Sequence, residues 1–155
     1  MIQQPSCPTR LLSLATAVPP EILVQDHVIR ESRALLGARF AQFDRLAPAF
    51  GNAGIDTRHS VVALDWFRQP HGWVDRTRAY AAGAARLFRE AAGRALDQAG
   101  LSAPQVDVVV TISSTGIVTP TLEALVARDM GFRPDVMRVP VFGLGCAGGV
   151  SGLAV

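Results

Sequence analysis

Two stretches of β-branched and other apolar residues lie in the second half of the chain. Residues 106–113 (VDVVVTIS) and 136–142 (VMRVPVF) predict strands, and the near-continuous first stretch is typical of a parallel strand covered on both faces. Pro140 removes one backbone donor, which favours a bulge or an edge position for the second strand. A further apolar stretch, residues 10–18 (RLLSLATAV), predicts the first strand of the fold, ended by two prolines.

Helical periodicity is clearest over residues 76–99, where apolar side chains recur with the helical period and a glycine ends the pattern. The small residues 81–85 (AAGAA) allow close packing on several sides, so we expect a central helix between two layers. Between the two strands, Thr119 predicts an N-cap and Pro120 the first turn of a helix that reaches Met130. Weaker patterns predict helices over residues 23–36 and 39–50, a strand over 58–64 and a loop over 65–73. The alternation of strands and helices is the signature of an α/β fold.

Composition narrows the class of protein. A chain of 155 residues with 49% hydrophobic side chains has enough apolar material for one domain with a core. The formal net charge is only +2 and the arginines are scattered, which excludes the basic patch of a nucleic-acid-binding protein. No apolar run approaches the roughly 18 residues of a membrane span, and the N-terminus lacks the order of a signal peptide. We therefore expect a cytoplasmic protein without a membrane or nucleic-acid partner.

The residues with the clearest chemistry follow the last predicted strand. Residues 143–149 (GLGCAGG) place a single cysteine, Cys146, on a glycine-rich turn that opens a helix. The thiolate is the nucleophilic form of cysteine, and a helix N-terminus favours that form. The glycines allow a sharp turn and a close approach of a substrate carbonyl to backbone N–H groups. A lone cysteine is more often buried and inert, but this context favours a nucleophile that accepts an acyl group.

Other candidate chemistry is weak by comparison. Cys7 lies in a segment flanked by prolines and is interpreted as incidental, with both cysteines reduced. His59 and His71 are interpreted as surface or loop residues, and the His, Cys and acidic residues lack metal-ligand spacing. No glycine-rich dinucleotide motif opens a helix, so we expect neither a metal nor a dinucleotide cofactor.

The chain resembles a known enzyme family in several segments, which occur in the family's order. These are residues 17–20 (AVPP), Gln25, and residues 54–59 (GIDTRH), 113–120 (SSTGIVTP), 131–134 (GFRP) and 144–149 (LGCAGG). Together they resemble bacterial type III polyketide synthases, the chalcone-synthase-like enzymes. The resemblance implies an α/β, thiolase-like fold layered αβαβα. Residues 1–155 would form one N-terminal domain, truncated soon after the cysteine, with an incomplete sheet, and the complete protein would be a homodimer.

The resemblance also implies a transferase that works on coenzyme A thioesters. Cys146 would accept a starter acyl group from acyl-CoA and then condense it with malonyl-CoA units, each losing carbon dioxide, to build a polyketide. Both thioesters are substrates, so no resident cofactor or metal is implied. The family's catalytic histidine and asparagine belong to its second half, and none of His27, His59 and His71 fits that role.

Further site residues carry over from the resemblance position by position. Ser114 and Thr115 match positions that line the condensation cavity, and Thr119 matches one that crosses the dimer interface into the partner's cavity. Arg45 and Arg58 fall where relatives place cationic contacts for coenzyme A. On residue type alone, Ser114 and Thr115 would more often cap the following segment, and Arg58 would equally form a structural ion pair.

Two alternatives remain open at the level of sequence. A β-ketoacyl-carrier-protein synthase III-like enzyme of fatty-acid synthesis shares the fold and the cysteine turn, but the segment before Gly54 lacks the pattern that such enzymes show. The other alternative is a non-catalytic fragment or interaction subunit, because a sheet without the strand after the Cys146 helix exposes an edge and an apolar helix face. We expect the isolated 155-residue chain to be inactive and to self-associate.

Overall fold

The structure, a computed structural model, describes residues 9–155, so Cys7 lies outside the described residues. The helices and strands are, in chain order, β1 (Glu21–Val24), α1 (Gln25–Leu36), α2 (Phe43–Leu46), α3 (Pro48–Asn52), β2 (Thr57–Ser60), α4 (Trp73–Ala99), β3 (Val108–Ser113), α5 (Leu122–Met130), β4 (Met137–Phe142) and α6 (Gly148–Leu153). Short 3₁₀ turns lie at Leu64–Arg68, Ala103–Gln105 and Gly145–Ala147. The predicted α/β class is confirmed.

The first two strands pair antiparallel, and α1 to α3 fill the connection between them; we call residues 21–60 the β1–β2 region. The helix predicted over residues 23–36 is confirmed as α1, although its first two residues belong to β1. Pro48 stands at the first position of α3, where its missing N–H is tolerated, and the helix predicted over 39–50 is therefore divided. The strand predicted over 58–64 is confirmed only as the short β2.

Helix α4 confirms the clearest helical prediction and begins slightly earlier, at Trp73. Gly100 ends it in the left-handed conformation, with φ +67°, as its position predicts. Helix α5 packs along α4. Ala85 is nevertheless the only α4 residue that is buried among residues 9–155. The expected central position between two layers is not observed in the described part of the chain.

Strands β3 and β4 form a parallel pair, as predicted, with Ser113 opposite Phe142 at their carboxyl ends. Helix α5 connects them and contacts both. Helix α6 lies against Ile112 and Val110, whereas Thr111 bonds to α5. Since neighbouring residues of a strand face opposite sides, α5 and α6 cover opposite faces of this sheet.

The sheet is only partly covered. Val108 is 44% exposed and Ile112 41% exposed, so β3 has a helix against each face, as predicted, but the two helices cover it only in part. Neither outer edge of the β3–β4 pair meets another strand among residues 9–155, which agrees with the expected incomplete sheet. Val150 and Leu153 also leave an apolar face of α6 exposed, and self-association of the isolated chain stays a prediction on this basis.

The strand predicted over residues 10–18 is wrong. This segment lies along α4 instead, because the Ser13 hydroxyl donates to the Ala95 carbonyl at 2.8 Å and the Arg94 guanidinium donates to the Thr16 carbonyl at 2.9 Å. Its backbone has no ladder partner within the described chain, and a strand requires one. Leu12 and Leu14 therefore remain exposed to solvent.

The predicted start of the helix between β3 and β4 is also wrong. Helix α5 begins at Leu122, so Thr121 occupies the N-cap position in place of Thr119. The Thr121 hydroxyl donates to the Glu123 carboxylate rather than accepting a backbone N–H. Thr119 and Pro120 consequently belong to the connection that precedes the helix. The predicted end is correct, with Gly131 in the left-handed conformation at φ +76°.

Candidate active site

The cysteine turn connects β4 to α6, as the sequence predicts. Gly143 and Gly145 adopt φ +87° and φ +52°, a region that side chains disfavour, so glycine is required at both positions. Cys146 is the middle residue of the 3₁₀ turn Gly145–Ala147, and this turn leads directly into α6. Its side chain is exposed. A substrate therefore has direct access to the thiol.

Two later glycines hold this turn against the sheet. A Cβ on Gly148 would lie 2.6 Å from Cγ2 of Ile112, and a Cβ on Gly152 would lie 2.1 Å from its Cδ1. The two glycines are one helical turn apart and share a face of α6. The absence of side chains on this face brings α6 into contact with β3, which fixes Cys146 at the carboxyl end of the sheet.

Ser114 and Thr115 lie at the same end of the sheet as Cys146. They follow β3 directly, as the cysteine turn follows β4, and the two strands run parallel with their last residues in register. Both side chains are exposed. The structure thus places these three candidate residues at one end of the sheet, and Thr119 is exposed further along the same connection. We call residues 111–123 and 143–152 the strand-end region.

Ser113, rather than Ser114 or Thr115, provides the local turn. Its hydroxyl donates to the Gly116 carbonyl at 2.7 Å and accepts from the Gly116 N–H at 3.3 Å. Neither Ser114 nor Thr115 makes a side-chain hydrogen bond within the described chain, so the capping role does not fall to them. Their hydroxyls remain available to a ligand.

Gly116 is also in close contact with the side chain of Tyr80, which belongs to α4. A Cβ on Gly116 would lie 2.3 Å from Cγ of the Tyr80 ring, so only glycine fits at this contact. Beneath the connection is a small cavity of about 70 Å³, lined among others by Tyr80, Thr111 and Thr121. Its volume suits a few atoms rather than a substrate.

Glu123, which the sequence patterns did not indicate, is the most deeply buried charged residue of the described chain, at 1% exposure. One carboxylate oxygen accepts from the Thr111 hydroxyl at 2.7 Å and the other from the Thr121 hydroxyl. The available signal was an acidic residue within the apolar sequence of α5, two positions after a threonine. A buried carboxylate needs such donors, because an unpaired buried charge is costly.

The two arginines predicted to contact coenzyme A belong to the β1–β2 region. The Arg58 Nε donates to the side-chain oxygen of Gln25 at 2.8 Å, and the amide of the same glutamine donates to the Phe50 carbonyl at 3.0 Å. Gln25 is buried, so this contact ties Arg58 to the fold. Arg45 is exposed and donates to its helical neighbour Gln42 at 2.6 Å. The described contacts of both arginines remain within this region.

The three histidines have contacts elsewhere. His27 is on the exposed side of α1, and His59 Nδ1 lies 3.1 Å from the Pro19 carbonyl oxygen. His71 stacks on Trp66 at 3.7 Å, and its Nε2 lies 2.8 Å from the Trp66 carbonyl oxygen. None of these contacts includes Cys146. Within residues 9–155, no group of His, Cys, Asp and Glu side chains is arranged to hold a metal ion.

Among the described residues, no helix combines the length and apolar character needed to cross a bilayer.

Comparison with known proteins identifies a family. A sequence model of the family described as "Chalcone and stilbene synthases, N-terminal domain" matches residues 73–155, more than half of the chain. The match begins where α4 begins and includes the whole strand-end region.

Individual relatives agree with this family. The 1,3,6,8-tetrahydroxynaphthalene synthase of Streptomyces peucetius subsp. caesius is 36% identical over 145 residues, which cover 94% of this chain and 38% of that protein. The phloroglucinol synthase of Pseudomonas fluorescens is 26% identical over 145 residues, covering 90% of this chain and 42% of that protein. The chain thus spans about two fifths of the length of the curated relatives it matches.

A solved structure agrees as well. The 1,3,6,8-tetrahydroxynaphthalene synthase of Streptomyces coelicolor A3(2), a bacterial type III polyketide synthase, superposes with a TM-score of 0.81 at 27% identity. The superposition covers 92% of this chain and 41% of that chain.

Proposed function

The chain belongs to the chalcone and stilbene synthase family, the type III polyketide synthases, and on this premise we propose that Cys146 is the acyl-accepting nucleophile of a polyketide-forming transferase. The family is one of enzymes, and its solved members have the thiolase-like α/β fold to which this chain superposes. The observation that carries the proposal is the exposed thiol on a glycine turn at the carboxyl ends of two parallel strands. Ser114 and Thr115 at the same end support it.

The first step of the proposed reaction loads the cysteine. The Cys146 thiolate attacks the carbonyl carbon of an acyl-CoA, and a sulfur–carbon bond forms as the bond between that carbon and the coenzyme A sulfur breaks. The coenzyme A thiolate leaves and takes up a proton. Because Cys146 lies on an exposed turn, a long thioester can reach it without displacing a buried element.

The second step extends the chain. Malonyl-CoA loses carbon dioxide, and the electron pair of the broken carbon–carbon bond forms an enolate that attacks the acyl carbon on Cys146. The cysteine–acyl bond then breaks, which returns the thiolate and leaves a β-ketoacyl-CoA. Transfer of the β-ketoacyl group from coenzyme A back to Cys146, followed by another condensation, lengthens the chain, and repetition of the two steps gives a polyketide. The imidazole and amide donors that such an enolate requires belong, in this proposal, to a part of the enzyme outside these residues.

Several side chains have supporting roles in the proposal. Ser114 and Thr115 line the condensation cavity with hydroxyls that lack partners in the described chain. Thr119 lies at the interface of a homodimer, and Arg45 and Arg58 contact the coenzyme A phosphates. Of these two, Arg45 is better suited, because the contact with buried Gln25 already holds Arg58. A cytoplasmic location and the absence of a resident cofactor or metal are parts of the same proposal.

The test uses the complete protein with a panel of acyl-CoA starters and either malonyl-CoA or malonyl-carrier protein as the extender. We expect carbon dioxide release and polyketide products with malonyl-CoA only. Products formed only from malonyl-carrier protein would identify a fatty-acid condensing enzyme instead. A properly folded complete protein that releases no carbon dioxide from either extender would favour a non-catalytic subunit.

A further inference from the structure

Glu123 has an unusual environment for an acidic residue. It is 1% exposed, and both of its carboxylate oxygens are occupied by threonine hydroxyls rather than by a cationic side chain. No arginine or histidine lies within ion-pair distance of it in the described chain. Glu123 also lies in the first turn of α5, the end of a helix that favours an acidic side chain.

The two threonines lie at opposite ends of one connection. Thr111 belongs to β3 and precedes Ser113 by two residues, whereas Thr121 directly precedes α5. The segment between them carries Ser114, Thr115 and Thr119. One buried carboxylate therefore closes a loop whose exposed side holds the three residues proposed to face the substrate.

The same carboxylate is also connected to the cysteine turn. Thr111 lies opposite Pro140 in the register of β3 and β4, and β4 leads directly into the glycine turn that carries Cys146. The distance between the loop and the thiol is thus determined through β3. A change at Glu123 would displace the loop while leaving the turn of Cys146 in place, since Gly148 and Gly152 hold that turn independently against Ile112.

We propose that Glu123 is a positioning residue that sets where Ser114 and Thr115 stand relative to Cys146, and that it thereby controls which polyketide products form. The control of product formation rests on the proposed function. The fixing of the loop by Glu123 does not depend on any chemistry. Glu123 itself does not touch the substrate, because it is buried beneath the loop.

The first measurement is hydrogen exchange of the complete protein, comparing a peptide from residues 114–121 with peptides from the β1–β2 region. Glu123→Gln keeps the shape but replaces the carboxylate with an amide, so one threonine hydroxyl must accept instead of donate and both bonds lose the strength that an ionised acceptor gives. We expect exchange in the loop to accelerate about tenfold, with no change in the β1–β2 region. Thr121→Val, which removes the hydroxyl, should accelerate exchange in the same way. Thr121→Ser, which keeps the hydroxyl, should exchange as slowly as the wild type. Glu90→Gln, a change on the surface of α4, serves as the matched control.

The second measurement separates loading from condensation. Glu123→Gln and Thr121→Val should leave the rate of acyl transfer to Cys146 within about twofold of the wild type and shift the ratio of products, because the loop moves but the thiol does not. Thr121→Ser should keep the wild-type ratio.

Three outcomes separate the claims. Unchanged loop exchange in both Glu123→Gln and Thr121→Val would overturn the proposal, as would an equal acceleration in every peptide. Accelerated loop exchange with an unchanged product ratio would overturn the control of products. A wild type that forms no product would contradict the proposed function, while the exchange data would still decide whether Glu123 fixes the loop.

Discussion

The polar side chains of the β1–β2 region differ from the candidate site residues of the strand-end region in their hydrogen bonding. In the β1–β2 region polar groups bond to one another, as Arg58 does to Gln25 and Arg33 does to Asp44 at 2.9 Å. In the strand-end region the candidate site residues, Cys146 and Ser114 among them, are exposed and make no side-chain hydrogen bond within the described chain. The backbone beneath them is held by glycine contacts and by a buried carboxylate.

The difference supports the proposal that the strand-end region supplies the chemistry. Polar groups that are satisfied within the fold contribute to stability, whereas groups held in place but without partners are available to bind a ligand. The family model matches only from residue 73 onward, which includes the strand-end region and leaves out the β1–β2 region. We therefore expect changes to the internally bonded residues of the first region to alter stability, and changes in the second region to alter catalysis as well.

The strongest test of the rigid strand-end region is Gly116→Ala. The new methyl group would meet the Tyr80 ring at 2.3 Å, and a ring attached to α4 cannot rotate away as a flexible side chain would. We expect the free energy of unfolding to fall by about 3 kcal/mol, near the upper end of the usual cost of overpacking. Urea unfolding of the complete protein measures it.

Gly93→Ala is the matched control for that substitution. Gly93 lies inside α4, and nothing lies within 4 Å of the position that its Cβ would occupy. Alanine there should raise the free energy of unfolding by about 0.5–1 kcal/mol through helix propensity. Equal effects at the two glycines would contradict the close contact between Gly116 and Tyr80.

A second substitution addresses the β1–β2 region. Gln25→Leu removes both side-chain bonds of a buried amide and leaves the Phe50 carbonyl and the Arg58 guanidinium without those partners. We expect a loss of about 1–2 kcal/mol of stability, with the reactivity of Cys146 toward iodoacetamide unchanged at temperatures where the protein is folded. A large fall in thiol reactivity would show that the two regions are not separate in function.

Local patterns predicted the second half of the chain better than the first. Helix α4, the strands β3 and β4, and the glycine turn before Cys146 follow from periodicity, β-branched residues and glycines that are local in sequence. Residues 10–18 have the composition of a strand, but a strand depends on a distant partner, which composition does not specify.

The site shows the same limit. Cys146 follows from its residue type and the glycine turn around it, whereas Ser114 and Thr115 follow only from the resemblance, since their residue types alone favour a capping role. The cap was assigned to Thr119 because threonine followed by proline satisfies the local rule, yet Thr121 lies at the helix start since it bonds to Glu123. That bond, and the buried position of Glu123, depend on the packing of α5 against β3, which no short pattern records.

The two arginines provide a finer test of the comparison between the regions. If Arg45 contacts coenzyme A, Arg45→Gln should raise KM for acyl-CoA about two- to fivefold with stability unchanged, as expected for an exposed ionic contact. Arg58→Gln should mainly lower stability, because its Nε is bonded to buried Gln25. Steady-state kinetics and urea unfolding of both variants distinguish the two roles. A raised KM for Arg58→Gln together with lower stability for Arg45→Gln would show that the roles of the two arginines are exchanged.

The smallest expected effect concerns acid stability. The hydrogen bond from Arg68 lowers the pKa of Glu31 below its ordinary value. A carboxyl whose pKa is lower in the folded protein stabilises the fold above its unfolded pKa, and this contribution is lost as the pH falls through the folded value. The difference in Tm between wild type and Glu31→Gln should therefore be small at pH 6 and vanish in strong acid or high salt. A difference that stays constant with pH would contradict the ion pair.

The central claim is that Cys146 accepts the acyl group, and intact-protein mass spectrometry tests it most directly. The complete protein is incubated with single acyl-CoA thioesters from acetyl-CoA to palmitoyl-CoA, and the modified peptide is then sequenced. We predict that at least one of them adds the mass of its acyl group to Cys146, that Cys7→Ala keeps the label and that Cys146→Ala abolishes it. Labelling that persists in Cys146→Ala, or no labelling of folded wild type by any of the thioesters, would contradict the account.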